Sequence, residues 1–135
     1  MITVQTIVHV PVEKAWEFWT KPEHIVHWNF ASADWESPSA ENDLQEGGRF
    51  KYRMSAKDGS ASFDFEGAYV SIQDKTFISY TMDDGRKVSV SFEPHEHGTK
   101  ITESFDPENE NPEEMQRSGW QAILDQFKAY CEANS

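Results

Sequence analysis

The sequence predicts an α+β fold, an antiparallel sheet of consecutive hairpins packed on a long C-terminal helix. Three observations carry that expectation. The segments RFKYRM, SFDFEGAYV, KVSVSF and GTKITESF alternate in polarity with the period of a strand. Asp58-Gly59, Asp84-Gly85 and His97-Gly98 supply the positive backbone angles of tight turns, and the connections are too short for crossover helices. Near the end of the chain, Met115, Gly119, Trp120, Ile123, Leu124, Phe127 and Tyr130 recur at three- and four-residue steps, a wide apolar stripe over about five turns.

Taken in order, ITVQTIVHV reads as a strand. PVEKAWEFW follows as a short amphipathic helix with Val12, Ala15, Trp16 and Trp19 on one side and a Pro suited to a first turn. KPEHIVHW reads as a second short helix, with Pro22 near its start and Ile25 and Trp28 three apart. NFASADWESPSAEND is rich in small and polar residues and is expected to be a surface loop anchored by Phe30 and Trp35. From Arg49 to Asp106 a meander is expected, with Phe50, Tyr52 and Met54 sharing a face, then Phe63, Phe65 and Tyr69, then Val88, Val90 and Phe92. The last helix should run from about Pro112 to Cys131, with Asn111 as its cap and Glu114 completing a capping box. Only the inner face of the sheet offers a surface broad enough to cover its stripe.

Composition bounds the function. The chain has 135 residues, 37% hydrophobic and 13% aromatic, enough for one domain with a core. Twelve Lys plus Arg stand against 24 Asp plus Glu, a net charge of -12 that repels phosphate backbones and anionic headgroups, so neither nucleic acid nor membrane is an expected partner. A single cysteine, Cys131, excludes an intrachain disulfide and a cysteine-built metal site. With no basic segment followed by a long apolar run at the start, a cytoplasmic protein is expected.

The order of these elements, together with PVEKAW, Trp28 after the second helix, LQEGGRF, FEGAY, the Gly-Thr before the last strand and GWQAIL, resembles the START-like (SRPBCC) superfamily. More narrowly, it is similar to homologues of the C-terminal domain of the activator of heat-shock protein 90 ATPase. The resemblance covers residues 1–135 as a single START-like domain. It implies a helix-grip fold, in which a curved sheet of six or seven strands wraps the C-terminal helix and leaves a cavity between them.

Within GTKITESF, strand alternation turns Thr99, Ile101, Glu103 and Phe105 to one side, so a carboxylate shares a face with two core residues. A dry, dense core would penalise Glu103 by several kcal/mol. A hollow interface accommodates it better, beside water, a hydroxyl of Tyr52, Tyr69 or Tyr80, an indole N–H or a bound molecule. The alternative is an edge strand or bulge that lets it reach solvent. In the hollow case its pKa is expected above about 4.3, and a ligand carrying a hydrogen-bond donor or a cationic nitrogen would satisfy it. Met54, Phe63, Phe65 and Trp120 would surround the apolar remainder, with Trp28 and Trp35 at the mouth.

Other chemistry finds less support. His24 and His27, or His95 and His97, lack a third ligand at motif spacing and read as surface histidines, so no metal or other cofactor is expected. Gly47-Gly48 precedes a strand and is no phosphate loop. Cys131 has no His at an activating spacing, and one carboxylate without a second group is a weak basis for catalysis. Three functions remain. One is binding of a small, largely apolar molecule, which we favour. Another is a co-chaperone-like role on a heat-shock protein 90 type ATPase in the stress response. The third is an enzyme like the cyclases and dehydratases of the superfamily.

Overall fold

The computed structural model describes residues 1–134. Strand β1 (Ile2–Val8) leads into helices α1 (Val12–Thr20) and α2 (Pro22–Ile25). Six strands follow, β2 (Trp35–Asn42), β3 (Arg49–Ala56), β4 (Ser62–Gln73), β5 (Phe77–Met82), β6 (Lys87–His95) and β7 (Gly98–Phe105), and then α3 (Glu113–Ala133). The strands form one antiparallel sheet in the order β1-β7-β6-β5-β4-β3-β2. The short helices bridge the first strand to the far edge of the sheet. Strand β4 runs for 12 residues, and a register shift between Tyr69 and Ser71 inserts a bulge that leaves Val70 outward. Such a bulge bends its strand and deepens the curve of the sheet.

The turns follow from backbone angles. Gly59 and Gly85 take positive φ, as the sequence predicts, but before β7 the positive φ of 62° falls on His97. Gly98 serves another purpose: a Cβ there would stand 2.1 Å from the Val8 carbonyl oxygen. The glycine lets the end of β1 approach β7.

Two expectations require correction. The segment around Trp35 forms β2, paired with β3, with a register shift between Glu36 and Ser39. Its small and polar residues hide the strand because it is an edge with little to bury. At the start of α3, Asn111 provides no side-chain cap, and Pro112 occupies the cap position. Buried Gln116 secures the approach instead. Its Nε2 donates to the carbonyls of Asn111 (2.8 Å) and Glu108 (3.2 Å), and its Oε1 accepts the Glu108 N–H at 2.9 Å. The buried stripe is consequently Gln116, Leu124, Phe127 and Cys131, while Met115 is exposed and Trp120, Ile123 and Tyr130 are half-buried.

Helix α3 also covers the open edge of β1. Arg117 Nη1 donates to the Thr3 carbonyl (2.9 Å), Gln121 Nε2 to Gln5 (3.3 Å) and Lys128 Nζ to Ile7 (2.6 Å), and the His9 N–H donates to Glu132 (3.2 Å). These outward carbonyls would otherwise be free to pair with another strand. Among the described residues, no helix is long and apolar enough to cross a membrane.

Candidate functional site

A cavity of about 250 Å³ lies between the concave face of the sheet and α3. Its position follows from the packing of α3. The C-terminal half of the helix is anchored where Phe127 meets Trp19 and Trp28, with ring centroids 4.9 and 4.8 Å apart. Farther toward its start, Trp120 stacks on Phe105 of β7 at 3.9 Å and meets the edge of Phe65 on β4. Strands β3 to β5 curve away beneath these contacts, and the space is not filled.

Strand alternation supplies the wall. β3 turns Phe50, Tyr52 and Met54 inward, β4 Phe63, Phe65 and Tyr69, and β5 Ile78 and Tyr80. Trp120 and Ile123 close the space from the helix, and Trp19, Trp28 and Asn29 from the segment of α1 and α2. Nine of the fifteen lining residues are aromatic, so the site has a rigid π-rich surface.

Glu103 projects into this wall from β7. The strand lies between β1 and β6 in unbroken register, so neither the edge nor the bulge alternative applies, and the residue is only 6% exposed. Its carboxyl has no hydrogen-bond partner among the described residues. Burial alone pushes its pKa up to about 8, so the group is mostly protonated at neutral pH. Arg86, also at the wall, is held by Asp84 at 2.8 Å.

The tyrosines divide into two sets. Tyr69 donates to Asn42 Oδ1 at 2.5 Å, and Asn42 Nδ2 donates to the Thr20 carbonyl at 2.6 Å. These bonds tie β4 and the end of β2 to the end of α1. Burial, with nearby Tyr69 adding to it, raises the Tyr52 pKa well above the usual tyrosine value. Tyr80 has no hydrogen bond among the described residues, and burial, reinforced by the Glu103 charge, raises its pKa well above the usual tyrosine value. Asn29 Nδ2 is likewise buried without a partner. Glu103, Tyr80 and Asn29 are thus polar groups at the wall that the fold leaves unsatisfied.

Of the residues singled out from sequence, Trp28, Tyr52, Met54, Phe63, Phe65, Tyr69, Tyr80, Glu103 and Trp120 are brought together here. Phe63 is 48% exposed and forms part of the rim. Trp35 lies outside the lining, packed on Phe63 at 5.9 Å. Among the residues not singled out, Phe50, Ile78 and Ile123 share the strand or helix face of a neighbour that was, so periodicity could have found them. Asn29 and Arg86 sit outside any periodic run and carried no signal. His27 is exposed, as a surface histidine should be, whereas His24 is half-buried. Nδ1 of His24 hydrogen-bonds the Tyr130 hydroxyl at 2.6 Å, and His27 stacks on the Tyr130 ring.

This geometry has known counterparts. The family model described as Activator of Hsp90 ATPase homolog 1-like protein matches residues 9–132. The chain belongs to that family. Within it, the AHSA1-like protein of Aeromonas hydrophila is similar at 42% identity and a TM-score of 0.89, over 98% of this chain and 94% of that one. A Cytophaga hutchinsonii protein is similar at 51% identity and a TM-score of 0.85, over 98% and 92%. A Nitrosomonas europaea protein at 20% identity and a TM-score of 0.86, over 99% and 95%, shares the fold. No curated protein matches the chain. The AHSA1-like assignment agrees with the helix-grip architecture, a curved antiparallel sheet closed by its C-terminal helix.

Proposed function

We propose that this protein binds a small, largely apolar molecule in the cavity between the sheet and α3, as one START-like domain spanning residues 1–135 and working in the cytoplasm. The observation that carries the reading is an aromatic-walled space of about 250 Å³ holding a buried carboxyl without a partner. Dense packing would have removed both the space and the unsatisfied groups. The volume lies near the lower end of ligand sites, which span roughly 300–1,000 Å³, so the occupant is smaller than a typical drug. In this reading Trp120, Phe65 and Tyr52 contact the apolar body of the ligand, Trp28 closes the inner end, and Glu103 orients its polar end. Catalysis is not proposed, because no second group among the described residues hydrogen-bonds Glu103. Mass spectrometry of protein isolated under gentle conditions should reveal a stoichiometric small molecule that Trp120→Ala releases. Isolation of protein with no copurifying molecule, together with no response to a panel of small aromatic compounds, would defeat the reading.

The family description supports a second reading, docking on an Hsp90-type ATPase. Adding the protein to such an ATPase should change its turnover rate. An unchanged rate with no detectable association would remove this partner.

A further inference from the structure

We propose that the cavity ligand is an organic ammonium cation, its charge set against Glu103 and its substituents against the aromatic wall. This inference rests on the binding reading above and names the chemical class of the ligand.

Charge and geometry disfavour an anion and a plain hydrocarbon. Glu103 is 6% exposed, lines the cavity and has no hydrogen bond or ion pair among the described residues. An anionic ligand would meet this carboxyl and a protein of net charge -12. Among the described residues, the one cation at the wall that could receive an anion, Arg86, already has Asp84 at 2.8 Å. A neutral hydrocarbon would fill the space but leave the carboxyl as it stands. Once Glu103 is ionised, an ammonium ion supplies the opposite charge that no described residue gives it, and the aromatic rings of Trp120, Tyr52, Phe65 and Tyr80 that line the cavity attract it through their quadrupoles. The acidic surface adds to this by raising the local concentration of cations.

The charges around Glu103 make the inference readable by pH. Its cross-strand partners are Val4 on β1 and Val90 on β6, and the helix contributes uncharged Trp120 and Ile123 to the cavity. Tyr52, Tyr69 and Tyr80 face the cavity from β3, β4 and β5, and burial raises the pKa of all three above the usual value of 10.0. Arg86 is a fixed positive charge. Between pH 6 and 9, Glu103 is therefore the group at the wall that changes charge.

The test compares phenyltrimethylammonium, which has no proton to lose, with its neutral isostere tert-butylbenzene, following tryptophan fluorescence and the Trp120 indole N–H by NMR. Since the cation needs the ionised carboxylate, its affinity should rise about tenfold per pH unit up to a pH of about 8 and then level off. Tert-butylbenzene should bind more weakly at pH 9 and show no such rise. Glu103→Gln should abolish the pH dependence and weaken the cation by roughly tenfold or more at pH 9. Should that variant not fold, the wild-type pH profile decides alone. Equal or tighter binding of tert-butylbenzene, with a pH-independent cation affinity, would overturn the ammonium assignment and leave the apolar-binding reading standing. Binding of neither probe would overturn both.

Discussion

Glu103 couples the interior of the protein to pH. Its folded pKa of about 8 lies above the usual 4.5, so folding favours the protonated form. The stabilising contribution is fully present below pH 4.5 and is lost as pH rises through 8. At about 1.4 kcal/mol per unit, the ionised group penalises the fold by up to about 5 kcal/mol. Glu103→Gln should be progressively more stable than wild type as pH rises from 5 to 9 in urea melts. A constant difference across that range would mean that Glu103 is solvated. Cys131 is the second buried titratable residue of note. Burial pushes its thiol up to about 12, the Glu132 charge adds to the effect, and Lys128 opposes it. Since the thiolate is the reactive form, the native protein should react with an aromatic disulfide at pH 8 only as fast as it unfolds. Rapid labelling that denaturant does not accelerate would contradict this.

The same dependence on context governs α3. Phe127 is fully buried against Trp19 and Trp28, whereas Met115, part of the same apparent stripe, is 61% exposed. Phe127→Ala should cost about 3–5 kcal/mol. Met115→Ala should change stability by less than about 0.5 kcal/mol, as measured by chemical denaturation. Half-buried Trp120 falls between them, because its ring has Phe105 on one face and the cavity beside it. The helix has a second role at the sheet edge. Replacing Arg117, Gln121 and Lys128 together with Ala would free the carbonyls of Thr3, Gln5 and Ile7. Light scattering should then show concentration-dependent self-association. A strictly monomeric triple variant, in conditions where wild type is monomeric, would show that those side chains do not protect the edge.

Over the whole molecule, 24 acidic and 12 basic side chains leave like charges crowded on a small surface. Eight ion pairs of Lys or Arg with carboxylates occur among the described residues, most with exposed partners such as Arg49 and Asp83, and exposed pairs contribute little. Self-repulsion should therefore dominate the salt response. Raising sodium chloride from low to physiological strength should increase Tm at pH 7, where screening shortens the reach of repulsion to about 8 Å. A fall in Tm would mean that the surface pairs outweigh the net charge.

Local periodicity made much of the protein legible. Alternation in β3, β4, β6 and β7 and the helical stripe of α3 follow from how side chains leave a backbone, so they can be read without knowing what lies opposite. The resemblance then connected those elements into a helix-grip fold. Glu103 could be assigned to the inner face on the same basis, but whether that face was dense, hollow or open to solvent depended on its neighbours. Strand β2 was missed because its side chains carry little pattern, and it exists through backbone pairing to β3. Asn111 had the right spacing for a cap, yet Gln116 reached the loop instead. Asn29 and Arg86 came to the wall from segments without periodicity. Solvation and cavity shape are properties of surfaces brought together from distant parts of the chain. Only the tertiary structure could decide that Glu103 faces an unfilled aromatic space, because its environment is made by β3, β4, β5 and α3 rather than by its own strand.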